Sequence, residues 1–114
     1  MVPLSKTPLF YRIYDFLCFW HKYIGRFPKC DRYTVGQKVF STLLEILTLV
    51  MKAEYLSGEK KKQALLEISP LFDTVKILIR LTHNLSIIPE HEYIKLEENL
   101  QEIGKMLGGW IRSL

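Results

Sequence analysis

Apolar residues recur along this chain at alternating spacings of four and three, the period of an amphipathic helix, and nowhere at a sustained spacing of two. Leu9, Phe10, Ile13, Phe16, Leu17, Trp20, Tyr23, Ile24 and Phe27 form a wide aromatic stripe, which Gly25 and Pro28 bring to a stop. Thr34 and Gln37 have the spacing of a capping box, so a second helix is predicted to begin at Thr34 and to end before Gly58, a left-handed stop. In the third segment Leu65, Ile68, Phe72, Val75 and Ile79 keep one phase across Pro70. That favours one kinked helix over a new helix capped by Ser69. The fourth opens at Pro89 with Glu90 and Glu92 in its first turn, and carries a heptad seam of Tyr93, Leu96, Leu100, Ile103, Leu107, Trp110 and Leu114.

Four long helices (8–26, 34–57, 59–85 and 89–113) joined by short connections predict an all-α chain: one antiparallel up-and-down four-helix bundle domain over 1–114. A bundle core needs one stripe per helix, yet the second helix has two. Val39, Leu43, Ile46 and Val50 form one; Phe40, Leu44, Leu47 and Met51, joined by Leu49, form the other. Either this is one broad core-facing stripe or the second face packs against another subunit, and we favour the subunit. Gly104 and Gly108 share a helix face, where they either fray the end or admit a close neighbour. Leu107, Trp110 and Leu114 stay in phase beyond them, which favours a continuous packed helix.

Composition adds bounds. The 114 residues, 48% hydrophobic and 25% charged, suit one globular domain and argue against disorder. Cys18, in the aromatic stripe, reads as a small core residue, and Cys30 as a free thiol in a loop. Two cysteines make no disulfide framework, and a reducing cytoplasm fits both. Lys6, Arg12 and Asp15 interrupt the apolar beginning, so no signal peptide is expected. The longest apolar run, Val39 to Met51, is shorter than the roughly 20 residues a bilayer span takes, so no membrane is expected.

Catalytic chemistry is not legible. His21, His83 and His91 lack the spacing of paired metal ligands, Glu97, Glu98 and Glu102 read as a solvated face, and no Ser or Cys has a recognisable base. We expect no enzyme, no metal and no cofactor. Positive charge is the remaining signal. Lys22, Arg26, Lys29, Arg32 and Lys38 stand against Asp31 alone, a local +4 equal to the net charge of the whole chain. Tyr23, Phe27 and Tyr33 are interleaved. Lys76 and Arg80 form a second basic pair, and Lys60, Lys61 and Lys62 a third group. One such cluster on a monomer is usually a solvated face. Repeated around an oligomer it becomes a multivalent surface for phosphates.

The basic stretch "FPKCDRYTVGQKV" (27–39) and the tail "EIGKMLGGWIRSL" (102–114) together resemble the accessory variability determinant (Avd) proteins of diversity-generating retroelements, over nearly the whole chain from Leu9 to Leu114. A related branch, the four-helix proteins encoded in ribosomal RNA intervening sequences, shares the basic stretch but carries an Asn-Ile-Ala-Glu-Gly-like run in its second helix. Here that helix reads "KVFSTLLEILTLVMKAEYLSGE", which favours the Avd side.

The resemblance implies a homopentameric barrel of four-helix bundles that binds the element's reverse transcriptase and template RNA (or DNA) during mutagenic cDNA synthesis, without being a polymerase. It implies nucleic-acid or partner contacts for Lys76 and Arg80, and, by match of type, for Arg26, Lys29, Arg32 and Lys38. Cys30 departs from the charged residue common at its position. The alternatives are a four-helix protein that binds nucleic acid or ribosomes outside any retroelement, and a purely protein-binding bundle.

Overall fold

The computed structural model describes residues 7–114, so residues 1–6, with the interrupting Lys6 and the first part of the predicted domain, lie outside it. The described residues are all-helical, with four long helices and no strand. Helix α1 spans Pro8–Tyr23 and ends in a 3₁₀ turn, Ile24–Arg26. Thr7 caps it by accepting from the Phe10 amide, and Pro8 opens its first turn, where a missing N–H costs nothing. Helix α2 spans Lys29–Glu54, α3 Gly58–Asn84 and α4 Glu90–Arg112. They pack in a closed cycle, α1 on α2, α2 on α3, α3 on α4 and α4 back on α1.

The predicted seams are the core. Every residue of the α1 stripe is buried except Ile24, which is half-buried; so are Val39, Leu43, Ile46 and Val50, and the five that straddle Pro70. Leu96, Leu100, Ile103 and Leu107 bury the α4 seam; Tyr93 and Trp110 are half-buried, and Leu114 is exposed beyond the helix end. Burying side chains of this size stabilises each by roughly 1.5–3 kcal/mol, enough to outweigh helix propensity.

Three expectations change. The capping box at Thr34 does not form, because α2 begins five residues earlier, directly after Pro28. Its opening turn, Lys29–Asp31, runs into a π-helical turn, Arg32–Gly36, in which the Gln37 amide reaches back five residues to the Arg32 carbonyl. Thr34 instead donates its hydroxyl to the Cys30 carbonyl (2.9 Å), as a mid-helix threonine does. Cys18 lies on the solvent side of α1, exposed and free, as is Cys30, which sits on a helix instead of a loop. The apolar run of α2, expected to be too short to span a bilayer, belongs to a 26-residue helix that is long and apolar enough to cross one by length and composition. The most apolar stretch of that helix is 44% buried among the other helices.

Pro70 does not break α3, which runs through it. Leu66, whose carbonyl loses its amide partner to the proline ring, is 47% exposed, so water can satisfy it. Gly58 has the left-handed backbone expected of it (φ 58°). The α3–α4 connection closes with a Schellman pattern: the Ile87 amide bonds the Thr82 carbonyl and the Ser86 amide bonds that of His83. Ser86 takes the left-handed position (φ 60°) and buried Ile88 plugs the core behind it. Helix α4 continues through Gly108 and Gly109 to Arg112, and a Cβ at Gly104 would lie 3.3 Å from the Phe72 ring.

Trp20 fixes how α1 meets the π turn. It is fully buried, its indole N–H donates to the Gly36 carbonyl (2.9 Å), and Phe27 packs edge-on against its ring (5.7 Å). A buried indole N–H without an acceptor costs about 1–3 kcal/mol, and so does an orphaned carbonyl. Trp20→Phe keeps an aromatic ring but removes the donor and some volume. It should lower the unfolding free energy by about 2 kcal/mol or more in chemical denaturation followed by circular dichroism.

Candidate nucleic-acid interface

The basic stretch is helical from Lys29 onward, so its cations stand on a helix and follow its periodicity. Lys29, Tyr33 and Lys38 point to solvent, while Val35 and Gly36 turn inward. Asp31 lies in the first turn, where the dipole favours an acid. A side chain at Gly36 would be crowded: a Cβ there would sit 3.1 Å from Ile24 Cγ2 and 3.2 Å from the Asp31 carbonyl oxygen, so these neighbours would have to give way by a few tenths of an ångström. This close approach seats the basic helix start against the end of α1.

Arg26 is the predicted site residue that the structure most redefines. Its guanidinium lies 3.2 Å from Glu92 Oε1 and 5.4 Å from the centre of the Tyr23 ring, while the Tyr23 hydroxyl donates to Glu92 Oε2 (2.9 Å). One carboxylate at the start of α4 thus holds both residues and offsets one of the cations counted from sequence. The guanidinium is largely exposed, so this pair alone adds little stability. Its importance is positional, because it ties the start of α4 to the end of α1.

Lys76 is exposed, 3.2 Å from Asp73 and above the Phe72 ring (5.3 Å). Arg80, one turn on, is exposed and has no ion pair among the described residues; the same holds for Lys29 and Lys38. Arg32 is half-buried, and its Nε has no hydrogen-bond partner. Because Glu92 meets Tyr23 and Arg26, the end of α3 lies at the same end of the bundle as the start of α2. At 1.5 Å per residue, Arg80 and Lys76 stand about 6 and 12 Å back from the last residue of α3. The six predicted residues therefore share one end of the bundle without converging on one cluster. Lys61 belongs elsewhere, over the Trp110 ring (5.4 Å).

Two features were not read from the sequence. Glu92 was counted only as a helix-start acid; nothing in its local spacing announces a partner 66 residues earlier. The π turn had no signal in the sequence, since Val35 and Val39, four apart, share a face on a plain α-helix as well. No group of three His, Cys, Asp or Glu among the described residues is arranged to hold a metal.

Burial raises the Tyr23 hydroxyl pKa well above its usual 10, and the bond to the Glu92 carboxylate and that charge add to the shift; Arg26 opposes it. Tyr93 is raised by the same order of causes, burial first and then Glu97, with Arg80 opposing. A group whose pKa is raised on folding favours the protonated native state. That contribution is complete below the unfolded-state value near 10 and is lost as pH climbs past it. The parent should lose stability as pH rises above about 10, and Tyr23→Phe should flatten that limb in denaturation measured from pH 8 to 12.

A family model described as bAvd-like matches residues 9–114, nearly the whole chain. No curated protein and no solved structure matches.

Proposed function

The chain belongs to the bAvd-like family, and from that premise we propose that it is a non-enzymatic accessory protein of a diversity-generating retroelement. In this reading it is an oligomeric basic scaffold that joins the element's reverse transcriptase to template RNA in the cytoplasm and needs no cofactor. Its mechanism is electrostatic: lysines and arginines contact phosphates and release counterions, with little reading of bases. The carrying observation is the set of exposed cations without ion pairs among the described residues, Lys29, Lys38 and Arg80, at the end of the bundle that also holds Lys76 and Arg32. Arg26 supports that end through Glu92.

The end-to-end bonds favour an antiparallel, up-and-down path through a single domain. Thr7 at the start of α1 donates to Glu54 at the end of α2 (2.8 Å), while Trp20 near the end of α1 meets Gly36 near the start of α2. The outer faces of α2 and α3 support assembly. Leu44 and Met51 of the second α2 stripe are exposed, as are Leu66, Ile77 (67% exposed) and Leu81 of α3. Leu47 of that stripe is buried, and Phe40 and Leu49 are half-buried against the core, so the exposed side chains are what an interaction surface would use. Closed head-to-tail packing of five copies of this 13.5 kDa chain gives a particle of roughly 68 kDa and repeats the basic end five times.

Light scattering tests the assembly, and a monomer at micromolar concentration overturns it. Ile77→Asp should shift the particle to smaller species with the helical circular dichroism retained. The double charge reversal Lys76→Glu with Arg80→Glu should leave the particle intact. It should weaken RNA or reverse-transcriptase binding, with the slope of log affinity against log salt reduced by about 2. Unchanged binding removes those two residues from the interface; salt-independent binding favours a protein-only partner.

A further inference from the structure

The groove between α1 and α4 lies on the side of the helix cycle opposite the exposed α2–α3 face, so an assembly built through that face leaves it open. It encloses about 360 Å³, within the usual range for small-ligand sites, and Arg12, Asp15, Phe16, Phe19 and Asn99 line it. Phe19 is 49% exposed, and its ring is stacked on that of Tyr23 (5.3 Å, 16° between planes), with Phe16 behind it at 6.4 Å. The groove thus offers a flat aromatic surface held from behind, as a stacking platform requires.

Its polar groups have unused capacity. Arg12 and Asp15, one helical turn apart, make no ion pair or side-chain hydrogen bond among the described residues, and neither does the Lys95 ammonium in the adjoining groove. Asn99 donates once, to the Lys95 carbonyl (3.1 Å), which leaves its carbonyl oxygen and second N–H available. We propose that this groove binds an unpaired guanine base, with Phe19 as the stacking face and the Asp15 carboxylate as acceptor for the base's Watson–Crick edge. A carboxylate is acceptor-only with two oxygens. Guanine alone presents two adjacent donors, N1–H and the N2 amino group, along that edge. Adenine and cytosine each set a ring-nitrogen acceptor beside their amino group, and uracil flanks its single N–H with two carbonyls, so each turns a lone pair toward the carboxylate. Arg12 and Asn99 supply donors for the guanine O6. An apolar peptide side chain would cover Arg12 and Asp15 without satisfying either.

Glu98 and Glu102 border the adjoining groove, and only Glu102 is paired, with Lys105 (3.7 Å). Those acids make the groove unsuited to tracking a phosphate backbone. Binding here depends on stacking and edge recognition, and it varies little with salt, unlike binding at the basic end. The inference rests on the RNA-binding reading only for the source of the base, which is a single strand or a free nucleotide.

Fluorescence anisotropy of the full chain with labelled pentaribonucleotides UUGUU, UUAUU and UUUUU, beside titration with GMP and AMP, tests it. UUGUU should bind about ten-fold tighter than UUAUU, a preference that Asp15→Asn abolishes. Phe19→Leu should weaken both by about ten-fold while Phe19→Tyr restores them. Unchanged thermal midpoints serve as the folding control for these exposed positions. Selection of GMP over AMP shows that the free nucleotide suffices; selection confined to the pentamers identifies a strand as the source. Equal affinity for all three pentamers, or a preference that survives Asp15→Asn, overturns the proposal. If no probe perturbs the groove, it is left to a protein partner and the proposal also falls. Steeply salt-dependent binding without base preference would defeat this inference alone. Guanine selection with RNA retention untouched by the Lys76 and Arg80 reversals would defeat the basic-end reading alone.

Discussion

The hydrogen bond from the Trp20 indole to the Gly36 carbonyl is the constraint on which the basic end depends. Trp20 is fully buried, so its N–H must find an acceptor inside the protein, and the acceptor it finds lies on the last residue of the π turn. The absence of a side chain at Gly36 eases this approach, because Ile24 and the Asp31 carbonyl crowd the space a Cβ would take. The wide turn changes the helical phase between Lys29 and Gln37. Val35 and Val39, four apart, face inward, while Lys29, Tyr33 and Lys38 remain outside.

The same end is closed from the other side by Glu92. Its carboxylate accepts from Tyr23 and pairs with Arg26, so the first turn of α4 is held to the last turns of α1 by one residue. A cation engaged in this way contributes less to an external field than its formal charge suggests. The free positive field comes from α2 and α3, where Lys29, Lys38 and Arg80 face water with no ion pair among the described residues. A scaffold that uses such a field gains from repetition, because each added phosphate contact multiplies affinity.

The bundle presents two other surfaces of different character. The α2–α3 side exposes aliphatic side chains, and apolar surface of that breadth favours exclusion from water by another protein surface. The α1–α4 side mixes an exposed, backed aromatic ring with an acid and bases that make no ion pair among the described residues. That combination suits a small planar ligand with hydrogen-bonding edges. Since the two surfaces lie on opposite sides of the helix cycle, occupying one does not cover the other.

Much of this was legible in the sequence. The four periodic segments, their core seams and the continuation of α3 through Pro70 follow from the spacing and type of neighbouring residues, because burying an apolar face is a property of local period, while the family was legible in the resemblance of the stretches 27–39 and 102–114. The state of residues 29–36 did not follow. Thr34 and Gln37 satisfy a capping rule, and only the Trp20 bond to Gly36 and the close approach of Ile24 to that segment make an earlier start at Pro28 the better solution. Likewise the basic residues could be counted along the chain, but the neutralisation of Arg26 could not, since its partner is 66 residues away. Nor could the pairing of Asn99 with Arg12, Asp15 and Phe19 around one groove. The sequence by itself determined which faces must be buried. The tertiary structure decided which charges and rings meet across helices, because those meetings depend on the relative placement of elements that no local spacing encodes.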